Sequence, residues 1–195
     1  MNRLTYYPIT LLLLSLSACS HTPMQFYMLN AESSVANETT APVLPQTAVL
    51  GLGPIHLPTY LDRPQLVTAI SAHQYNLDEH NRWAERLDDN IARTLTQSLS
   101  NQLGIQQIVH YPWAARQPID YQLSVDILEL HQTAAGQSHL ALQWQIKKAE
   151  QASIGRRFEC SEASSDDAEA IVAAQSRCLS RFSQEAAAAI RQLAQ

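Results

Sequence analysis

The chain has 195 residues, of which 46% are hydrophobic and 16% charged, and its formal net charge is −5. This length suits one compact domain with a sizeable core. The acidic balance argues against nucleic acid as a partner and against an electrostatic grip on anionic lipid.

Residues 1–18 have the three parts of a secretory signal peptide. Arg3 supplies the positive charge, an apolar run extends from Ile9 to Leu16, and small residues follow. The run is too short to cross about 30 Å of hydrocarbon as a helix. We therefore expect residues 1–18 to be removed, which leaves a mature chain with a net charge of −6 because Arg3 is lost.

The segment Leu16-Ser17-Ala18-Cys19 resembles the lipobox of bacterial lipoproteins. This resemblance implies a thioether-linked diacylglycerol on Cys19, cleavage before Cys19 and N-acylation of the new terminus. Several acyl chains on one residue make anchoring stable. Ser20 rather than Asp follows the cysteine, which is typical of sorting to the outer membrane. We predict a lipidated tether over residues 19–24 and a single periplasmic domain over residues 25–195.

The first half of this domain predicts short strands around one helix. Strand-like segments are Gln25 to Leu29, Thr47 to Gly53, Gln65 to Ser71, Ala72 to Leu77 and Gln107 to Trp113, and Asn30 to Gln46 is predicted as a loop. Between Ala84 and Leu103, apolar residues recur every four positions and Gly104 follows, which predicts an amphipathic helix.

The second half predicts a hairpin, a third strand and a long helix. Apolar and polar residues alternate over 121–127 and 140–146, with Ala135-Gly136 in the connection, as expected for an antiparallel hairpin with one buried face. Ile154 to Ser161 continues as a strand, and Asp166 to Ala194 is an alanine-rich helix. Mixed strands and helices predict an α/β or α+β sandwich.

Two cysteines remain once Cys19 carries lipid. Cys160 lies on one face of the last strand, and Cys178 lies in the apolar stripe of the last helix. In an oxidising periplasm they are candidates for a disulfide where the helix packs on the sheet, and two buried free thiols are the alternative.

Catalytic and metal-binding patterns are missing from the sequence. It contains no G-x-S-x-G, Walker or dinucleotide-binding motif, and its seven histidines are scattered. We therefore expect no catalytic residues, no bound metal and no cofactor beyond the lipid on Cys19. A hydrolase would need a Ser, a His and an acid that converge only in the fold.

Several residues are candidates for a partner interface. Tyr60 and Leu61 lie between Pro58 and Pro64 and are expected to be exposed, while Asp62 and Arg63 beside them either fix the turn or pair across an interface. Trp83 and Trp113 lie at the ends of elements, where each either covers the core or contacts a partner.

Five segments together resemble one protein family. They are Phe26-Tyr27-x-Leu29 after the lipobox, Leu57-Pro58-x-Tyr60-Leu61-Asp62-Arg63-Pro64-Gln65-Leu66-Val67, Asn81-Arg82-Trp83-Ala84-Glu85-Arg86-Leu87, Tyr111-Pro112-Trp113 and Leu142-Gln143-Trp144. Their order and spacing resemble the ABC-type transport auxiliary lipoproteins, the PqiC/YmbA family. Members of the family often have Pro where this chain has Arg86.

The resemblance implies both a fold and a role. The fold is a three-layer α/β sandwich related to the N-terminal domain of TolB-type proteins, with a mixed, largely antiparallel sheet and two main helices. The role is that of an outer-membrane lipoprotein that docks the MCE-domain protein of an intermembrane phospholipid transport system, as a ring-shaped homo-oligomer. The alternative is an assembly or pilot lipoprotein of another outer-membrane or secretion machine.

Overall fold

A computed structural model describes residues 23–32, 44–148 and 153–195 as an eight-stranded sheet with two helices. The strands are β1 (Gln25–Tyr27), β2 (Val49–His56), β3 (Gln65–Ser71), β4 (Gln74–Trp83), β5 (Gln107–His110), β6 (Tyr121–Gln132), β7 (Gln137–Lys148) and β8 (Ser153–Ala163). The helices are α1 (Leu87–Leu103) and α2 (Ala168–Ala194). The predicted α/β fold with two main helices is confirmed.

The sheet is mixed, and its longest pairings are antiparallel. Strands follow the path β1-β4-β3-β6-β2-β5, and β7 and β8 extend the sheet from β6. The pairs β3–β4, β6–β7 and β7–β8 are antiparallel, whereas β1–β4, β2–β5 and β2–β6 are parallel. The predicted hairpin is present and longer than expected, because β6 and β7 continue to a turn at residues 133–136 in which Gly136 has a φ of 71°.

Both helices bury the stripes that their sequences predict. On α1, the residues spaced by four are at most 3% exposed: Leu87, Ile91, Leu95, Leu99 and Leu103. The helix begins at Leu87 rather than Ala84 and ends at Leu103. Gly104 caps it, with a φ of 69° and an N–H that donates to the Ser100 carbonyl. On α2, Asp167 caps the first turn by accepting from the Ala170 N–H.

The core lies where the two helices pack on the sheet. Helix α2 contacts β6, β7 and β8, helix α1 contacts β2 and β5, and the helices also pack against each other. Trp144 on β7 meets Phe182 on α2 edge to face, with ring centroids 6.0 Å apart. The core therefore joins the two halves of the chain into one unit.

Candidate functional site

Cys19 and the signal peptide lie outside the described residues. Residues 23 and 24 lead into β1, which pairs parallel to β4 with Gln25 opposite Asn81. The lipidation of Cys19 therefore stays a prediction from the sequence. The structure shows the direction in which the chain enters the domain.

The expectation that Leu61 is exposed is wrong. Leu61 is only 2% exposed and belongs to the hydrophobic core. Its N–H donates to the Pro58 carbonyl at 2.9 Å, and its own carbonyl accepts from the Arg63 N–H at 2.8 Å. The two prolines thus shape a turn that directs Leu61 inward, and Leu61 is unavailable to a partner.

Tyr60 is half-buried and is held from two sides. Its hydroxyl donates to the Leu128 carbonyl at 3.3 Å, and its ring lies 5.5 Å from that of Tyr75. Burial, followed by the neighbouring Tyr75 and Glu129, raises the pKa of Tyr60 to about 12. Tyr60 therefore joins the loop to the sheet and is not the free tip that the sequence suggested.

Asp62 and Arg63 divide between surface and interior. Asp62 is exposed, with its carboxylate 3.9 Å from the Arg86 guanidinium at the start of α1. Arg63 is partly buried, and within the described part of the chain its Nε has no hydrogen-bond partner. At this exposure the Asp62–Arg86 pair contributes little stability.

Trp83 and Trp113 differ in how deeply they are buried. Trp83 is 6% exposed and lies in the core, and its backbone N–H donates to the Pro64 carbonyl at 2.7 Å. Trp113 is only partly buried, and it packs beside Gly51, where an added Cβ would lie 3.2 Å from the indole ring. Trp83 thus connects the end of β4 to the segment between Pro58 and Pro64, which we call the proline loop. Trp113, in contrast, keeps part of its ring accessible to solvent.

An exposed aromatic side chain accompanies Trp113. Tyr111 is 56% exposed and meets the Trp113 ring edge to face at 5.3 Å. Its N–H donates to the Leu52 carbonyl, and Gly53, with a φ of 120°, has no room for a Cβ because one would lie 2.7 Å from the Tyr111 Cβ. The backbone under Tyr111 is therefore held in place by its contacts with Leu52 and Gly53. We call Tyr111 and Trp113 the aromatic edge.

A cleft opens beside the aromatic edge. It has a volume of about 290 Å³ and lies between the end of β2 and the start of α1, with Tyr111 at its margin. His56, Asp88 and His110 contribute polar groups to its wall. The His56 Nδ1 lies 2.7 Å from a carboxylate oxygen of Asp126. The surface around the aromatic edge is therefore apolar at one point and polar around it, as protein-binding surfaces commonly are.

The structure joins Cys160 and Cys178 by a disulfide with a Cα–Cα distance of 5.5 Å. Cys178 is fully buried, and Cys160 is 7% exposed. The bridge links β8 to α2 close to Phe182, which contacts Phe158 with ring centroids 5.5 Å apart. It therefore fastens the last helix to the last strand, which is a structural role.

A buried histidine lies under Tyr60 and Tyr75. His131 is 4% exposed, and its ring meets those of Tyr75 and Tyr60 at 5.2 and 6.4 Å. Burial lowers the pKa of His131, with a smaller opposing effect from Glu129, whose carboxylate lies 3.9 Å from the imidazole. Burial therefore favours the neutral imidazole, and the three rings pack against one another.

Within residues 23–32, 44–148 and 153–195, no group of three or more His, Cys, Asp or Glu side chains is arranged to hold a metal ion. Among the helices of the same ranges, none is both long and apolar enough to span a membrane.

The family model of the ABC-type transport auxiliary lipoprotein component matches residues 27–187. The chain belongs to this family. The resemblance to the PqiC/YmbA lipoproteins is therefore confirmed, and membership makes the protein a membrane-associated lipoprotein that assists an ABC-type transport system.

Two solved structures support the fold of this lipoprotein. One is a crystal structure of an uncharacterised protein with a TM-score of 0.69 and 23% identity, covering 86% of this chain and 99% of that one. The other is protein XCC0632 from Xanthomonas campestris, with a TM-score of 0.65 and 18% identity, covering 80% and 92%. No curated protein sequence matches the chain. At these identities the likeness shows the fold alone.

Sequence reasoning missed the exposed apolar side chains of this lipoprotein. Apart from Tyr111, the large hydrophobic residues exposed in the described ranges lie on or beside β1 and on the β3–β4 hairpin: Met24, Phe26, Met28, Ile70, Tyr75 and Leu77. The sequence contains one signal that indicates the exposed apolar residues of the hairpin, because no Asp, Glu, Lys or Arg occurs between Leu66 and Leu77.

Proposed function

We propose that this protein is the outer-membrane lipoprotein of an MCE-type intermembrane transport system, where it docks the MCE-domain protein for phospholipid transport. The observation that carries the proposal is the family match over residues 27–187, which begins eight positions after the lipobox cysteine. The anchor would be the diacylglycerol and N-acyl chains on Cys19, and Ser20 supports the outer membrane as the destination.

The aromatic edge is the surface that we propose for the MCE-domain protein. Leu61 and Trp83 are buried and Tyr60 packs against Tyr75, so Trp113 is the aromatic residue of the predicted interface set that keeps an accessible edge, and the exposed Tyr111 lies beside it. Tyrosine and tryptophan are over-represented among binding hot spots. Because the backbone under Tyr111 is fixed by Leu52 and Gly53, docking there would cost little conformational entropy.

The partner can be identified by purifying the lipidated protein from membranes in mild detergent and analysing it by mass spectrometry. The proposal predicts recovery of an MCE-domain protein. Recovery of components of a secretion machine, without an MCE-domain protein, would support a pilot lipoprotein instead. The native mass of the purified protein would give the number of subunits and so test the predicted homo-oligomer.

The surface is tested with Tyr111→Ala and a matched control, Arg116→Ala, which removes an exposed side chain from the same segment. Loss of a hot-spot side chain should weaken capture of the MCE-domain protein by about tenfold, which corresponds to about 1.4 kcal/mol. The control should bind normally, and both variants should keep the wild-type melting temperature because exposed residues carry little core energy. Equal binding by both variants would exclude the aromatic edge.

A further inference from the structure

We propose that β1 and the β3–β4 hairpin form a face that rests on the phospholipid surface in which the protein is anchored. This inference rests on the proposed lipid anchorage at Cys19. It assigns a second, non-covalent membrane contact to the folded domain, which would fix how the domain is oriented on the bilayer.

The first observation is the direction and length of the tether. Gln25 pairs with Asn81 in the parallel β1–β4 register. Six positions separate Cys19 from Gln25, and six positions separate Tyr75 from Asn81 on β4. An extended chain of that length spans at most about 22 Å. The lipidated cysteine can therefore lie no further from Gln25 than the tip of the β3–β4 hairpin does, which keeps the bilayer close to the hairpin.

The second observation is the apolar exposure of this face. On the hairpin, Ile70 is 54%, Tyr75 43% and Leu77 37% exposed, while on the tether side Met24 is 56% and Phe26 61% exposed. Tyr75 and Leu77 lie on one side of the hairpin, where they pair with Ala69 and Val67, and Ile70 lies on the other side, so both sides expose apolar side chains. Isolated exposed apolar residues are ordinary on protein surfaces, whereas several on one hairpin mark an interaction site. The group lies where the tether enters the domain, so the bilayer is the nearest apolar phase.

The third observation is the distribution of charge. No Asp, Glu, Lys or Arg occurs from Leu66 to Leu77, although the chain carries 31 such residues, and none occurs from Leu4 to Ala31. The charges resume at Asp78, which is fixed by the Asn81 amide and by the N–H groups of His80 and Asn81. A charged side chain at a lipid surface must keep its hydration, and residues 66–77 of the hairpin carry none. Beside β1, Arg82 lies opposite Phe26 and forms an ion pair with Glu79, so these two charges are bonded to each other.

The fourth observation is the chemistry of the hairpin residues. Tyr75 presents an apolar ring with a hydroxyl, and amphipathic aromatic side chains are enriched at the headgroup level of membranes. The tip of the hairpin, residues 71–74, consists of Ser, Ala, His and Gln and contains no Asp, Glu, Lys or Arg. This composition suits shallow contact with headgroups, and the acyl chains on Cys19 would still supply most of the binding free energy.

The test places an environment-sensitive NBD fluorophore on the full lipidated protein. Ala72→Cys puts the label on the exposed hairpin tip, and Gln97→Cys puts it on an exposed position of α1 as the control. The introduced thiol is the labelling site because Cys160 and Cys178 are bonded and Cys19 carries lipid. The labelled proteins are reconstituted into vesicles of phosphatidylethanolamine with a minor fraction of phosphatidylglycerol, with and without doxyl-labelled phospholipid.

We expect blue-shifted emission and doxyl quenching at position 72 and neither at position 97. Replacing the two exposed aliphatic residues, Ile70→Ser with Leu77→Ser, should abolish the quenching at position 72 while the protein still floats with the vesicles. Flotation with an unquenched, water-exposed label at position 72 would overturn the membrane face and leave the anchor intact. A blue shift without doxyl quenching would assign the face to protein instead, and loss of flotation in the unsubstituted protein would overturn the anchorage on which the inference rests.

Discussion

Replacing Leu61 with alanine separates a core role from an interface role. Leu61 is fully buried, and the backbone on both sides of it is held by hydrogen bonds to Pro58 and Arg63, so the turn has little freedom to close over a cavity. Leu→Ala changes at such sites cost about 2.7–5 kcal/mol, and poor relaxation favours the upper half of that range. For a domain of this size the loss corresponds to a fall in melting temperature of about 5–20 °C.

The measurement is thermal unfolding followed by circular dichroism, together with urea unfolding followed by tryptophan fluorescence. Thr59→Ala is the matched control, because Thr59 belongs to the same turn and is exposed. It should leave the transition nearly unchanged, within about 0.5 kcal/mol. A melting temperature for Leu61→Ala equal to that of the control would show that the turn does not bury Leu61, and the interface hypothesis for this loop would return.

Three further predictions concern the disulfide, the buried histidine and the anchor. Intact mass should show loss of two hydrogens at Cys160 and Cys178, and reduction should cost about 3 kcal/mol of stability because the bridge closes a loop of 18 positions; two freely alkylated thiols would contradict the pairing. The pKa of His131 is lowered in the folded state, so the unfolded chain takes up the proton first and stability should fall as pH drops below about 6.5; His131→Gln should flatten this fall between pH 7.5 and 5, and parallel curves would refute it. Cys19→Ala should leave an uncleaved or soluble protein that no longer fractionates with the outer membrane, whereas normal fractionation of detergent-extractable mature protein would exclude lipidation.

The helices and the central hairpin could be predicted because their information is local. A four-residue repeat on α1 and a two-residue alternation on β6 and β7 each describe one face of one element, and burial follows that face. The Cys160–Cys178 geometry follows from the same local patterns, since both residues lie on apolar faces that must meet if the helix packs on the sheet. Local periodicity was therefore sufficient to predict the helices and the central hairpin.

The proline loop could not be predicted in this way because it has no period. Pro58 and Pro64 indicate a turn but say nothing about which side chain the turn directs inward. The structure shows that two family motifs contact each other, as the Trp83 N–H donates to the Pro64 carbonyl and Arg86 approaches Asp62. Tyr60 and Leu61 between the two prolines were interpreted as an exposed interface, whereas in the fold this loop leads from β2 to β3 and contacts the end of β4 and the start of α1.

The strand order could not be predicted from the sequence either. It determines where the aromatic edge lies relative to the proposed membrane contact of β1 and the β3–β4 hairpin. β1 and β5 are the two ends of the strand path β1-β4-β3-β6-β2-β5. The tether leads into β1 and the aromatic edge follows β5, so five strand pairings separate the elements to which they are attached. A protein that contacts lipid through β1 and the β3–β4 hairpin would leave Tyr111 accessible to a partner arriving across the periplasm. The two surfaces are therefore separable by mutation. Ile70→Ser with Leu77→Ser should change the orientation of the domain on the bilayer without changing the intrinsic affinity for the partner, and Tyr111→Ala should do the reverse. If both variants lost partner capture equally in detergent, where no bilayer is present, the hairpin would have to be part of the partner interface, and the assignment of β1 and the hairpin to lipid would fail.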